Sequence, residues 1–283
     1  MLKPVLQHDA LLADIADARR DRDSFHLWWL GQSGFLLHWQ GKFTLLDPYL
    51  SDSLTRKYAG TDKPHVRMTE LVIEPSRLDF VHVITSSHNH TDHLDGETLF
   101  ALWQANYPVE MIVPEANRPF AAKRMGVAAT SIRGLDAGES VAVQGFTFHA
   151  VPAAHEDLDR DAQGRHIYLG YVLKFGPWTV YHSGDTLLYP GMVELLRPFK
   201  IDVALLPING RAPERRVAGN LSGPEAAQLA HDIGARCVIP CHYDMFEFNT
   251  ASPDAFVATC RQLGQPFQVL QAGARWSSKQ LDR

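Results

Sequence analysis

The sequence predicts an α/β protein, and three observations support this class. Short segments rich in β-branched and aromatic residues come first as a run of strands, and they then alternate with segments of helical periodicity. The same order recurs in the second half of the chain. No linker, charge block or low-complexity segment separates the halves, so we expect a single domain over residues 1–283.

The composition is that of an ordinary globular protein. Hydrophobic residues make up 45% of the chain, enough for a substantial core, and 21% of the residues are charged. The net charge of −5 gives no electrostatic reason to expect nucleic acid as a partner. The sequence leaves the oligomeric state open, with a homo-oligomer as one option.

Cysteine usage and the N-terminal residues bear on the compartment. Cys237, Cys241 and Cys260 form neither a C-x-x-C pair nor an even disulfide framework, which favours a reduced compartment. The first residues lack the apolar region of a signal peptide, and no later apolar segment approaches the length of a membrane span. We therefore expect a cytoplasmic protein without a membrane partner.

The first part of the chain is predicted to hold a helix and a β-meander. Residues 9–21 carry apolar side chains at helical spacing with Asp9 as N-cap, within an N-terminal helical extension of residues 1–24. Residues 31–34 supply a hairpin turn, whereas residues 48–74 have little pattern. The expected strands of the meander are 25–30, 35–39 and 43–47.

Strands and helices alternate through the rest of the chain. Further strands are expected at 80–85, 111–113, 131–133, 140–143, 146–152, 168–175, 178–182, 202–206 and 238–239. Helices are expected at 96–107, 114–125, 187–199, 222–233 and 253–263. Ser222 and Glu225 have the spacing of a capping box at the start of one of them.

A cluster of metal-binding residue types follows the strand at 80–85. His88 and His90 are too close in sequence to share a helix face, and they suit a curled loop. Asp92 and His93 are adjacent, so their side chains diverge unless the loop wraps around something. Two neighbouring cations would satisfy this arrangement, and imidazole with carboxylate suits Zn, Mn or Fe rather than Ca or Mg. The alternative, ordinary polar loop residues, is disfavoured because four such donors rarely occur together by chance.

The string His88-x-His90-x-Asp92-His93 resembles the signature of the metallo-β-lactamase superfamily. This resemblance implies an αββα four-layer sandwich, with two mixed β-sheets and helices on the outer faces. It also implies a dinuclear hydrolase site and three later ligands: a histidine and an aspartate after two strands, and a final histidine near the C-terminus.

The later ligand positions are filled. His155, Asp185 and His242 each follow a predicted strand and match the three positions that the resemblance implies. The first metal would then have His88, His90, His155 and Asp185, and the second would have Asp92, His93, His242 and the shared Asp185. Cys241 is a soft donor beside His242, but we expect it to point into the core. Asp47 ends a strand and is predicted to hold a ligating histidine by a hydrogen bond, with a turn cap as the alternative.

Catalytic roles follow from the expected pair of divalent ions, Zn or Mn with Fe as a further option. A hydroxide held between the ions would attack a carbonyl carbon or a phosphorus. Asp92 would align this nucleophile and take its proton, and His182 and Tyr243 are candidate donors to the developing oxyanion. The alternative for the last two is packing beside the site.

A narrower resemblance concerns the substrate. Residues 27–34, with Trp28-Trp29-Leu30-Gly31, are similar to the opening of the L-ascorbate-6-phosphate lactonases, and residues 181–185, 201–205 and 238–244 also match that group. Residues 206–211 depart from it. The resemblance therefore implies a lactonase-like enzyme for a small, anionic lactone rather than phosphorylated ascorbate lactone in particular.

The loop at 209–216 follows a strand and holds three arginines. Such a loop could bind a phosphate or carboxylate of the substrate, with Arg211 as the best candidate and Asn209 beside it. A solvated loop with Arg–Glu pairs is the alternative.

Three classes of function remain in view. The leading expectation is a metal-dependent hydrolase that opens a small-molecule lactone. The second is a phosphodiesterase, acting on small phosphodiesters or resembling N-acyl phosphatidylethanolamine phospholipase D. The third, a non-enzymatic member that has lost its metals, is disfavoured because every ligand position is filled.

Overall fold

The computed structural model describes residues 1–281, so the last two residues of the predicted domain lie outside the described part. Its strands are β1 (His26–Gly31), β2 (Gly34–Trp39), β3 (Lys42–Leu46), β4 (Val83–Thr85), β5 (Glu110–Pro114), β6 (Arg133–Leu135), β7 (Ser140–Val143), β8 (Phe146–Pro152), β9 (Leu169–Phe175), β10 (Trp178–His182), β11 (Val203–Pro207), β12 (Cys237–Cys241) and β13 (Arg275–Ser277). Its α-helices are α1 (His8–Ala18), α2 (Ser53–Tyr58), α3 (Gly96–Asn106), α4 (Arg118–Met125), α5 (Met192–Leu196), α6 (Gly223–Asp232) and α7 (Asp254–Leu263).

The strands form two mixed sheets. The first has the order β13-β1-β2-β3-β4-β5-β6 and the second has the order β12-β11-β10-β9-β8-β7. Neighbours that are joined by tight turns pair antiparallel, as in β1–β2–β3, β7–β8 and β9–β10. Strands β8 and β9 are also antiparallel, across the longer connection of residues 153–168. Neighbours that are joined by helical crossovers pair parallel, as in β4–β5 and β11–β12.

Alternation along each strand separates the layers. In β1, Leu27 and Trp29 face the core between the two sheets, whereas Trp28 and Leu30 face the helices on the outer side. Helices α1, α3 and α4 cover the first sheet, and α6 packs on β11 and β12 of the second. The predicted four-layer αββα sandwich is confirmed.

Several helices differ in extent from the sequence prediction. The helix predicted at 114–125 begins only at Arg118, because β5 extends to Pro114 and a 3₁₀ turn at Glu115–Asn117 follows it, and the helix predicted at 9–21 ends at Ala18. The predicted helix at 187–199 is reduced to α5, because Gly191 adopts a left-handed φ of 85° at its N-cap and a 3₁₀ turn with Pro198 follows its end. The predicted N-terminal extension contains α1, whose Leu11 and Ile15 pack against the outer face of the first sheet. Among residues 1–281, every helix is too short or too polar to traverse a lipid bilayer.

The sheet topology brings several strand ends to one edge. β3 and β4 are parallel, so the residues that follow them lie side by side. In the second sheet β8, β10, β11 and β12 all point the same way. The two edges are joined by hydrogen bonds, from the Leu169 amide to the Ser87 carbonyl at 3.0 Å and from the Tyr171 hydroxyl to the Ser86 carbonyl at 3.0 Å.

Candidate metal centre

The loop after β4 presents four donors to this edge. The donors are His88, His90, Asp92 and His93. The imidazoles of His88 and His93 are buried, whereas His90 and Asp92 are accessible from the outside. The chain is curled at this point, because the amides of His93 and Leu94 both donate to the His90 carbonyl, at 3.1 and 2.8 Å.

The first donor group consists of three imidazoles. His155, after β8, joins His88 and His90, and one ring nitrogen of each lies within 4.8 Å of the others. The ring centroids are 4.6 Å apart for His88 and His90, and 4.9 Å apart for His90 and His155. The structure therefore brings together the three histidines that the sequence assigned to one metal.

The second donor group combines two carboxylates with two imidazoles. Asp92, His93, Asp185 and His242 each offer one atom within 4.8 Å of the others. The His242 Nε2 atom lies 3.5 Å from the Asp92 Oδ2 atom, and the His93 Nε2 atom lies 3.6 Å from the same oxygen. Asp185 follows β10 and His242 follows β12, so both come from the second sheet.

Asp185 contacts both donor groups. Its Oδ2 atom lies 3.5 Å from the Nε2 atom of His155 and 3.3 Å from that of His242, and its Oδ1 atom lies 3.2 Å from the His93 Nε2 atom. Burial alone would raise the pKa of this carboxyl, but His242 and His93 outweigh it and hold the pKa well below its ordinary value. Asp185 is therefore an anion between the two groups.

The donor atoms fit divalent transition metals. Among the described residues, the His88 Nε2, His93 Nε2 and Asp185 Oδ1 atoms are buried without a hydrogen-bond partner, although buried polar atoms in proteins are nearly always satisfied. Each of them belongs to a donor group. Imidazole nitrogen and carboxylate oxygen suit Zn, Mn or Fe. Coordination of an ion would give these atoms a partner.

Asp47 supports the ligand loop from behind. The residue is fully buried, and its Oδ2 atom accepts a hydrogen bond from the His93 Nδ1 atom at 2.7 Å. Its Oδ1 atom accepts from the Ser87 amide at 2.9 Å, and the Ser87 hydroxyl also donates to the carboxylate. A proton on the His93 Nδ1 atom leaves the Nε2 lone pair free for a metal, as the sequence predicted for Asp47.

His155 is oriented in the same way by the backbone. Its Nδ1 atom donates to the Gly219 carbonyl at 2.9 Å, and because a carbonyl only accepts, the Nε2 atom carries the lone pair. The Nε2 atom is the one that faces Asp185. The tautomer of this histidine is therefore set for coordination.

Gln32 is a site residue that the sequence did not predict. It lies in the β1–β2 turn, is fully buried, and its Nε2 atom donates to the Asp92 Oδ2 atom at 2.7 Å. The same atom lies 3.0 Å from the His242 Nε2 atom. The only signal in the sequence was the motif Gly31-Gln32-Ser33-Gly34, which indicates a turn and says nothing about where the amide points.

A cavity of about 450 Å³ opens above the two donor groups. Its floor includes the ligand side chains His90, Asp92, His155, Asp185 and His242. Its other lining side chains include Leu54, Lys57, Tyr58, Lys63, His65, Arg124, Arg216, Phe246, Phe248 and Asn249. Five of these come from segment 48–74, for which the sequence showed little pattern.

Two predicted catalytic donors lie away from the cavity. His182 is fully buried, and its Nε2 atom donates to the Ser33 carbonyl at 2.8 Å. The Tyr243 hydroxyl donates to the Leu270 carbonyl, and its ring packs on Trp29 with centroids 4.4 Å apart. Neither side chain lines the cavity, so neither can donate to an oxyanion there, and the predicted catalytic roles of His182 and Tyr243 are wrong.

The predicted substrate contacts also point elsewhere. The Arg211 guanidinium binds both carboxylate oxygens of Glu225, at 2.9 and 2.6 Å, outside the cavity. Asn209 is buried and donates to the Asn249 side chain at 2.9 Å. Within the same loop it is Arg216 that lines the cavity. The loop reaches the site as expected, but with a different arginine.

Sequence comparison identifies relatives along most of the chain. Residues 44–243 match the family described as Beta-lactamase superfamily domain. A UPF0173 metal-dependent hydrolase of Caldivirga maquilingensis is 31% identical over 232 residues, which cover 82% of this chain and 87% of that protein. One of Myxococcus xanthus is 29% identical over 263 residues, covering 90% of this chain and 83% of that protein.

The fold is also similar to that of a solved structure. Igni18, a metallo hydrolase from the hyperthermophilic archaeon Ignicoccus hospitalis KIN4/I, has a TM-score of 0.66 and 20% sequence identity to this chain. The match covers 90% of this chain and 98% of that chain. At this identity the likeness concerns the fold.

Proposed function

This chain belongs to the beta-lactamase superfamily and, within it, to the UPF0173 metal-dependent hydrolases, and from this premise we propose that it is a dinuclear lactonase. It would open a small, anionic lactone to the hydroxy acid, using two divalent ions, Zn or Mn with Fe as a further option. The ester specificity and the number of ions are our proposal.

One observation carries the proposal. Asp185 contacts a histidine of the first donor group and both histidines of the second. Asp185, His155 and His242 lie on the floor of one cavity, and His93 lies buried beneath it. A carboxylate between two cations offsets their mutual repulsion. A lactone carbonyl held above this floor would face both ions.

The ions, when bound, would supply Lewis acidity and lower the pKa of a coordinated water toward neutrality. Asp92 is placed to take the proton that the attacking water loses, because its side chain is 17% exposed and lines the cavity. Gln32 donates to its Oδ2 atom and holds the carboxylate in that position. The apolar side chains Leu54 and Phe246 shield one side of the cavity from bulk water.

Metal analysis followed by a substrate panel tests the proposal. The purified protein should contain about two metal ions per chain, and it should hydrolyse anionic lactones faster than the phosphodiester bis(4-nitrophenyl) phosphate. Asp185→Ala serves as the background control. One ion per chain at saturation would overturn the dinuclear proposal, and turnover of the phosphodiester alone would overturn the lactonase.

A phosphodiesterase is the second candidate. Lys63 and Arg216 line the cavity, and cations of this kind suit a phosphate as well as a carboxylate. The same donor groups would serve an attack on phosphorus. The substrate panel separates the two candidates directly.

A further inference from the structure

The cavity has two features that metal binding does not explain, an aromatic surface and a set of cations. Apart from Arg216, which belongs to the loop 209–216, they come from residues that the sequence did not connect to the site. The inference drawn from them rests on the proposed function only in taking the cavity to be the substrate site.

The aromatic surface consists of Tyr58, His65, Phe246 and Phe248, which we call the aromatic wall. The His65 ring stacks on Tyr58 at 4.3 Å with an interplanar angle of 19°. The rings of Phe248 and Phe246 meet His65 edge-on, with centroids at 4.5 and 5.1 Å. The His65 Nδ1 atom is 3.1 Å from the Lys63 carbonyl, which fixes the ring plane. These contacts hold the rings of the wall in a fixed arrangement relative to one another.

The cations are Lys57, Lys63 and Arg216, which we call the cationic rim. The Lys63 ammonium donates to the Arg216 carbonyl and so joins the two loops that carry the rim. Arg216 pairs with Asp62, at 2.6 Å, in an exposed position. Among residues 1–281, no carboxylate forms an ion pair with Lys57 or Lys63.

The rim is not neutralised from within the cavity. The carboxylates that line it are Asp92 and Asp185, and both belong to the metal donor groups. Bound ions would add further positive charge on the floor. An anionic group of a ligand would consequently find a positive potential on the floor and at the rim.

We infer that the substrate carries a flat apolar group, such as an aromatic ring, together with an anionic group. The ring lies against the aromatic wall, and the anion is bound at the cationic rim with Arg216 as its main contact. Stacking and a charge-assisted hydrogen bond would then position the ester above the floor.

Inert probes test this inference independently of turnover. Binding of 3-phenylpropane-1-sulfonate to the metal-loaded protein is measured by calorimetry; a sulfonate is a weak ligand for metal ions and therefore reports on the rim. Arg216→Met should weaken binding about two- to fivefold, the range expected for an exposed ion pair. Arg216→Lys, which keeps the charge, should recover most of the loss.

Arg211→Met is the matched control. Arg211 belongs to the same loop, pairs with one carboxylate as Arg216 does, and its side chain is 52% exposed against 59% for Arg216. It lies outside the cavity, so its replacement should leave probe affinity unchanged. Equal losses for the Arg211 and Arg216 variants, or none for either, would overturn the anion assignment.

The wall is tested with truncated probes. Propane-1-sulfonate lacks the ring and 3-phenylpropan-1-ol lacks the anion, so both should bind more weakly than the complete probe. Phe248→Leu should weaken binding of the complete probe and leave that of propane-1-sulfonate unchanged. Equal affinity of all three probes would contradict the inference. If the complete probe binds tightly but no lactone of the panel is hydrolysed, the lactonase proposal fails and the inference about the binding site stands.

Discussion

Replacing Asp47 by asparagine tests how the ligand loop is held. The side chain keeps its size, but one of its oxygens becomes an amide that can only donate. Whichever oxygen is replaced, the new amide would face a hydrogen-bond donor. One carboxylate oxygen accepts from the Ser87 amide, and the other accepts from the Ser87 hydroxyl and the His93 Nδ1 atom. The backbone tolerates the change, since Asp47 has a φ of 41° and asparagine adopts this left-handed region readily.

The expected cost is a loss of metal affinity. Hydrogen-bond partners of ligating histidines typically contribute 10- to 100-fold to metal affinity or activity, which corresponds to about 1.4 to 2.8 kcal/mol. Asp47 is fully buried, so water cannot replace the lost acceptor, and we expect a value toward the upper end of that range.

Metal affinity is measured by competition with a chromogenic chelator, and circular dichroism checks the fold. Asp202→Asn is the control, because this carboxylate also accepts from a backbone amide, that of Thr179 at 2.8 Å, yet it precedes β11 at the opposite edge of the sheet. The control should bind metal as the wild type does. Wild-type affinity in Asp47→Asn would refute the reasoning.

Three further predictions follow from particular residues. Asp185→Ala should lose measurable turnover and at least one ion per chain by metal analysis, and full activity would contradict its place between the donor groups. Gly184→Ala should lower the free energy of unfolding in urea by about 2 kcal/mol, since its φ is +60° and a Cβ would lie 2.5 Å from the Ser87 Cβ; an unchanged midpoint would oppose this. Burial lowers the pKa of His38 to about 4, so the unfolded chain binds more protons below about pH 6.5. The contribution of neutral His38 to the free energy of unfolding should be fully present above about pH 6.5 and should fall by about 3 kcal/mol toward pH 4. A His38→Gln variant with the same pH profile would exclude His38 as the cause.

The first part of the ligand set was predictable because its signal is local. His88, His90, Asp92 and His93 stand together after a short apolar strand, whereas His155, Asp185 and His242 were found by matching later strand ends to the positions that the resemblance implies. The four-layer arrangement also came from the resemblance of the string at 88–93. A strand that is apolar at nearly every position, such as β1, is expected to be buried on both faces, but its sequence does not say what covers them.

The walls of the cavity could not be predicted for a physical reason. Lys57, Tyr58, Lys63 and His65 lie in a segment without periodicity, and their position depends on contacts with a distant loop around Phe246. The prediction of Arg211 instead of Arg216 was wrong for the same reason. Glu225, in the first turn of α6, binds Arg211, and Arg216 lines the cavity.

Strand β13 has a consequence for how the chain acquires its structure. It pairs with β1, so Ser277 lies opposite His26, and Trp276 enters the core beside Phe25. The first sheet cannot be completed until Ser277 has left the ribosome, long after β1 has done so, and the free edge of β1 stays open to other chains during that time. Contacts of such high sequence separation slow folding. We therefore expect a higher yield of folded protein when synthesis is slow and the temperature is low.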